Sequence, residues 1–384
     1  MPRIPRELRK PIPRPPRLPL FRASARIRRM KANLHFFRFV AAVAAAGLLL
    51  AGCAAPRGGI SDARSGAAAL SLWTDEAPAR AALVSYVEAV TDPDGPDFIP
   101  PEGRVAVFDL DGTLFCETDP NYFDYMLLVH RVAKDPDYRE KAGEAERETV
   151  RKILEMNETG VAAKGLETDH GRAVASAFAG FTPDAFDRYV RDFKRTPMPS
   201  YPGMARGDAF YRPMLQVVDY LRANGFAVWV VSGTDRFIVR GLVAGSPLAV
   251  PPDRIIGSDE TVVAAGQGAA DGLGYQLSAG EQVVLGGRFV VKNLKMNKVS
   301  AIVREIGIHP VLAFGNSTGD SSMATWVTDG NPRRALAFML CCDDVVRENG
   351  NPEKAARMRA LCERNGWIPV SMRDDWKTIY GDRP

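Results

Sequence analysis

The stretch Val105–Phe115, VAVFDLDGTLF, decides how the rest of the chain is read. Val105 to Phe108 form an apolar run that ends on Asp109 and Asp111, with Gly112 and Thr113 directly behind. A short apolar run closed by a turn signal reads as a strand buried on both faces. Residues two apart on a strand share a face, so the two carboxylates repel each other. That repulsion is tolerable where a cation or a reaction makes use of both acids. The pair therefore marks a candidate catalytic and metal centre at the end of the first core strand.

Outward from this strand, FAVWVVSG (226–233), RIIGSD (254–259), VLAFGNS (311–317) and ALAFML (335–340) read as further strands, most of them ending on small or polar residues. A helix over 213–223 closes at Asn224-Gly225 ahead of the first of these. This pattern predicts an α/β fold: a doubly wound, mostly parallel, Rossmann-like sheet with its active site at the carboxyl ends of the strands. Between Phe115 and Met204 the pattern is helical instead, in four segments starting near 121, 137, 171 and 182. The last carries Thr182 as N-cap, Pro183 at the first helical position, and Phe181 with Phe186 placed as a hydrophobic staple. The predicted organisation is a basic extension and signal segment (1–52), a tether (53–71), an α/β core (72–115 and 205–384) and a helical cap (116–204) inserted after the first strand. A further helix is expected within 73–92.

Four places then carry chemistry: DLDGT (109–113), VVSGT (230–234) with Ser232 past its strand, Lys298 at the start of a helix, and AFGNSTGDSSM with Asn316 and Asp320. In this order and at strand ends, these motifs resemble the haloacid dehalogenase-like superfamily of phosphohydrolases. The longer stretches around them resemble a secreted bacterial branch with a helical cap, over about residues 72–381. The resemblance implies a Mg²⁺-dependent phosphatase acting on a small phosphate monoester. In it Asp109 is the nucleophile that forms an aspartyl-phosphate, and Asp111 is the general acid and base. Ser232 and Lys298 complete the catalytic set, while Gly112, Thr113, Gly233 and Thr234 bind the phosphoryl group. Mg²⁺ prefers oxygen ligands and keeps several waters, which suits such a site. Its ligands are expected from Asp109, Asp111, Asp320 and Asn316. Many relatives have Asp where Asn316 stands, so Asp320 is expected to be the anionic member of that shell. Lys295 and Lys292 stand behind Lys298 as alternatives. An acid two residues after the nucleophile argues against a dehalogenase or an ion-pumping ATPase. A phosphotransferase and a non-catalytic ligand-binding lipoprotein are the competing readings.

The amino-terminal region points elsewhere. Residues 1–52 carry ten Arg and two Lys against one acid, Glu7, a net of +11, which leaves residues 53–384 at −7 within the formal +4 of the whole. The remainder is acidic, and nothing in its charge balance suggests a nucleic-acid partner. The first 29 residues, rich in Pro and Arg, cannot bury a core. They are either a basic arm for nucleic acid or lipid, or an extension ahead of a start at Met30, and the second reading is preferred. From Met30 a positive segment precedes the apolar FVAAVAAAGLLL (39–50), too short for an ordinary span. It ends in LAGC, which resembles the lipobox of bacterial lipoproteins and implies lipidation of Cys53. The expected location is the cell envelope, periplasmic or surface, held by that anchor. No obligate protein partner is evident.

Of the other cysteines, adjacent Cys341 and Cys342 are unlikely partners for each other, and either could pair with Cys362. Four scattered histidines disfavour a His-based triad. Substrate contacts are sought among Glu117, Tyr122, Tyr125 and Arg240.

Overall fold

The computed structural model describes residues 66–381. The basic stretch, the apolar segment and Cys53 lie outside these residues. Seven strands, numbered in chain order, form the sheet: Val105–Phe108 (β1), Ala227–Asp235 (β2), Ile255–Ala264 (β3), Val283–Val291 (β4), Leu312–Gly315 (β5), Leu336–Cys341 (β6) and Ile368–Ser371 (β7). Their order across the sheet is β4-β3-β2-β1-β5-β6-β7, and only the β3–β4 pair is antiparallel. The chain winds from β1 out to the edge strand β4, then crosses back to β5 on the other side of β1. This reversal opens a crevice at the carboxyl ends of β1 and β5, where doubly wound sheets bind ligands. The expected α/β sheet is therefore present.

Apolar side chains cover both faces of the sheet. Phe108, Phe314 and Phe338 stand in register on β1, β5 and β6 and stack, with centroids 4.2 and 5.0 Å apart. They belong to the cluster that also buries Leu83 and Val87 of the helix Pro78–Thr91 and Met214 and Val218 of the helix Arg212–Ala223. On the opposite face Val107, Ala313 and Met339 meet Met323 of the helix Ser321–Thr328 and Met358 of the helix Pro352–Asn365.

Three strands, β3, β4 and β7, differ from the sequence reading. β3 continues to Ala264, well past the expected RIIGSD, and pairs there with β4, which the sequence does not mark. β4 contains Gly286-Gly287 and is exposed along much of its length, so it lacks the apolar run of a central parallel strand. β7 carries Pro369, a residue confined in sheets to edges, strand starts and bulges, and it lies at the opposite edge.

Four α-helices, Phe123–Val129, Glu144–Thr159, Leu166–Ala177 and Pro183–Phe193, lie between β1 and the helix Arg212–Ala223 that leads into β2. The last starts as its sequence dictates: Thr182 Oγ1 accepts the Ala185 N–H at 3.2 Å, and the Phe181 and Phe186 rings sit 6.4 Å apart. The β3–β4 hairpin supports this insertion from one side. The Leu285 N–H donates to Phe181 O and the Gly180 N–H to Leu285 O, each at 2.8 Å.

The chain enters and leaves the insertion through a polar junction. Asp119, on the way in, forms a buried ion pair with Arg206 and accepts the Ser200 N–H at 2.8 Å, both on the way out. Beside it the fully buried Glu348 accepts hydrogen bonds from Tyr211 Oη at 2.5 Å, Thr118 Oγ1 at 3.3 Å, Tyr201 Oη at 3.4 Å and Tyr380 Oη.

The described ends of the chain meet. Trp73 and Trp376 pack edge to face at 5.8 Å. The Thr74 N–H donates to Asp375 O at 2.8 Å, and the Lys377 N–H donates to Leu72 O at 2.9 Å.

Cys116, Cys341, Cys342 and Cys362 are buried and unpaired, so the disulfide left open to Cys362 is not made. Among the described residues no helix is long and apolar enough to cross a membrane.

Candidate active site

β1 delivers Asp109 to the crevice because its ladder with β5 extends one residue further, through a 2.9 Å bond from the Asp109 N–H to Phe314 O. The chain then turns sharply, with the Gly112 N–H donating to Phe115 O at 2.7 Å. Gly112 has φ +74°, and a β-carbon there would lie 1.8 Å from Asn316 Nδ2 and 2.6 Å from the Glu117 carboxyl carbon. Only glycine lets the β5 loop close over this turn.

A row of charges crosses the floor of the crevice. Lys298, in the helix Met296–Ala301, is completely buried, and its Nζ donates to Asp109 Oδ1 and Asp320 Oδ1, both at 2.6 Å. The other Asp320 oxygen accepts the Asn316 N–H at 3.1 Å and the Ser317 N–H and Oγ at 3.0 Å each. Asp320 thus spends both oxygens on Lys298 and on its own loop. Burial and the nearby Asp320 push the Asp109 pKa up to about 7, against the pull of Lys298. The two carboxylates in turn hold the Lys298 pKa up despite its burial.

Asp111 is held differently. Its Oδ2 accepts from Thr234 Oγ1 at 2.8 Å, while its Oδ1 is buried with no partner. Burial, Asp124 and Asp109 together push its pKa well above the usual carboxylate range. An acid whose pKa is raised beside a second carboxyl group fits a general acid next to a nucleophile.

The residues present fit an oxygen-liganded divalent cation. Asp111 Oδ1 and the Asn316 side-chain amide nitrogen are both buried without partners, against the turn that carries Asp109. The two ends of an amide are interchangeable in shape, so Asn316 can present Oδ1 there as readily as Nδ2. No group of three His, Cys, Asp or Glu side chains among the described residues forms a metal cage. The third oxygen donor here is an amide, and a cation that retains waters needs no full cage.

A cavity of about 390 Å³ opens above this floor. Of the residues expected from the sequence, Asp109, Asp111, Gly233, Thr234, Asn316 and Asp320 line it, as do Glu117, Tyr122 and Tyr125. Lys298 lies beneath, bonded to Asp109. Ser232, Gly112 and Thr113 do not line the cavity. Ser232 is fully buried and its Oγ accepts the Thr234 N–H at 3.0 Å, while Gly112 and Thr113 build the turn. Arg240 points away, its Nε bonded to Pro252 O at 3.1 Å and its guanidinium over Phe237. Glu117 is paired with Lys354 of the helix Pro352–Asn365. Lys292 and Lys295, held in reserve for the catalytic lysine, are cavity-wall residues. The sequence reading missed Asp124, Glu167, Met156 and Leu294, which also line the cavity. Asp124 stands between Tyr122 and Tyr125 in NYFDYM, and that polar cluster at a helix start was the available signal.

No curated protein matches the chain. Among solved structures, a protein of unknown function from Anaerococcus prevotii is similar at 13% identity, covering 76% of this chain and 91% of that one, with a TM-score of 0.47. Cytosolic 5′-nucleotidase IIIB bound to cytidine is similar at 13% identity, 79% and 90% coverage and TM-score 0.47. A substrate-bound phosphoserine phosphatase is similar at 15% identity, 67% and 97% coverage and TM-score 0.33. The sequence model of the haloacid dehalogenase-like hydrolases matches residues 106–325, which is more than half of the chain and runs from β1 past Asp320. On that match the chain belongs to the haloacid dehalogenase-like hydrolase family.

Proposed function

We propose that this hydrolase is a phosphatase, cleaving a small phosphate monoester through a phosphoryl group carried on Asp109. The observation that carries the reading is the pairing of a Lys298-bound Asp109 with a buried Asp111 that is aimed by Thr234 and whose surroundings raise its pKa. An Asp109 oxygen attacks phosphorus, and the bond from phosphorus to the substrate alkoxy oxygen breaks. Asp111 gives its proton to that oxygen, so the product leaves as an alcohol. Asp111 then takes a proton from water as the water oxygen attacks phosphorus, and the Asp109–phosphorus bond breaks to release phosphate. Lys298 offsets charge on Asp109 and on the phosphoryl oxygens throughout.

Asp109, Asn316 and the Asp111 main chain would hold Mg²⁺, which when bound supplies positive charge to the phosphoryl oxygens. Asp320 is assigned a different task from the one expected from sequence, positioning Lys298 and the Asn316 loop, because its oxygens are already engaged. The helical insertion is read as a cap that contacts the leaving group. The test is hydrolysis of p-nitrophenyl phosphate with and without Mg²⁺. Mg²⁺-dependent release supports the reading, and no release under either condition refutes it.

The lipid anchor is proposed on the sequence alone. Cys53→Ser is expected to abolish fatty-acid labelling in growing cells, and equal label on both forms removes the anchor.

A further inference from the structure

The side of the cavity away from Lys298 is acidic and aromatic. Tyr122 and Tyr125 line it edge to face, with centroids 5.2 Å apart, and neither hydroxyl has a hydrogen-bond partner among the described residues. Asp124 lies between them in sequence, is 2% exposed, and lines the same cavity. Its carboxylate accepts no hydrogen bond from the described residues; the nearest cationic or titratable nitrogens are His170 Nδ1 at 3.8 Å and Lys292 Nζ at 4.0 Å. Burial depresses the His170 pKa to about 4, so that ring is neutral at ordinary pH and brings no charge to Asp124. Glu167 adds a further acid at the exposed margin.

Charge accounting sharpens this. Six carboxylates line the cavity; Asp111 is the protonated acid of the proposed reaction, so five negative charges face Lys292 and Lys295. Lys298 and Lys354 stand behind, paired with Asp109, Asp320 and Glu117, which leaves a balance of one negative charge. A phosphate dianion and a divalent cation cancel each other, so the excess negative charge remains for the leaving group to meet. A buried, incompletely compensated carboxylate is costly, and a cationic ligand group relieves that cost. Tyrosine rings at such a site add attraction for a cation, including a quaternary one that can donate no hydrogen bond.

From this geometry we infer that the substrate is a phosphate monoester whose alcohol carries a positively charged nitrogen, seated between Asp124 and the Tyr122–Tyr125 pair. The inference rests on the phosphatase reading and names the leaving group for it. Neutral polyol phosphates would find the hydroxyls but leave the excess charge unmet.

The test compares esters that differ only in that charge: phosphorylcholine with 3,3-dimethylbutyl phosphate, and phosphorylethanolamine with propyl phosphate. In the Mg²⁺-loaded protein kcat/KM is expected to favour the charged member of at least one pair by about tenfold or more. Asp124→Asn, and separately the exposed Glu167→Gln, should each move that ratio toward one. Thermal unfolding checks that both variants are folded, and Glu167→Gln serves if Asp124→Asn is not. The inference is overturned if the uncharged esters are cleaved as well or better, or if neither variant shifts the ratio. p-Nitrophenyl phosphate in the same preparations separates the two claims. Its cleavage without a charge preference removes the amine alone, whereas failure to cleave any ester removes the phosphatase reading and this inference with it.

Discussion

The floor and the wall of the cavity are built on opposite plans. On the floor, the charged atoms of Asp109, Lys298 and Asp320 contact one another or main-chain N–H groups at 2.6–3.1 Å. On the wall, Tyr122, Asp124 and Tyr125 leave their polar ends without hydrogen bonds among the described residues. The floor gathers at the ends of strands β1 and β5, which pair in register with stacked phenylalanines, and at Lys298 of the helix Met296–Ala301, whereas the wall rides on inserted helices. A reacting centre gains from being fixed before the substrate arrives, because no reorganisation is then needed at the barrier. A recognition surface gains from groups left unsatisfied until the right ligand satisfies them.

That contrast breaks most easily at Asp109. Asp109→Asn keeps the shape and the Lys298 contact but removes the proposed nucleophile. Turnover of an aryl phosphate should fall by on the order of 10⁴-fold or more, with thermal unfolding little changed. Near-normal turnover would show that the floor does not work as described.

The junction between floor and wall supplies the next test. Burial raises the Glu348 pKa from 4.5 to about 7, despite the hydrogen bonds from Tyr211 and Tyr380 that pull it down. The folded state therefore holds this proton more tightly than the unfolded chain. The stability it contributes is complete below about pH 4.5 and is lost as pH rises through 7. Glu348→Gln should remove that part of the pH dependence, worth about 3 kcal/mol between the two limits. Comparing denaturant unfolding of wild type and variant at pH 5 and pH 8 reads it directly. An unchanged difference between the two pH values would mean that Glu348 is ionised in the fold.

Within the floor, Asn316 and Asp320 should separate. Asn316→Ala is expected to raise the Mg²⁺ concentration for half-maximal activity about 10–100-fold, and Asn316→Asp to lower it. Asp320→Asn should instead lower kcat by loosening Lys298, with a smaller effect on the Mg²⁺ midpoint. The opposite pattern in the titrations restores Asp320 as the principal ligand.

The smallest effect is expected on the wall's own scaffold. Thr182→Ala deletes the cap on the helix Pro183–Phe193 and should cost about 1 kcal/mol in unfolding experiments. Selectivity among esters should not move, since Thr182 does not line the cavity.

The floor was legible in the sequence and the wall largely was not. Strands buried on both faces announce themselves as apolar runs, and Asp109, Asn316 and Asp320 sit where such runs stop. Thr182 and Pro183 marked their helix start because capping is a local matter. Asp124 and Glu167 come from separate helices, and nothing local records that they face one cavity. Ser232 was expected at the phosphoryl group and lies beneath Thr234, because the strand–turn geometry that fixes which of the two faces the crevice is not written in VVSGT. β4 was missed for a related reason: an edge strand with a glycine pair carries no apolar run of its own.

The clasp of Trp73 against Trp376 has a consequence for rewiring the chain. In a chain trimmed to residues 66–381, a short linker could join the two sides of this clasp and new ends be opened elsewhere. The polar stretch between β3 and β4 is the natural place to cut, since residues 265–282 are mostly exposed and carry none of the floor or wall. Circular permutation is tolerated at such exposed tips when the original ends are neighbours. The permuted chain would begin and finish on the hairpin beside the inserted helices, so a reporter fused there would sit next to those helices rather than beside the tryptophans.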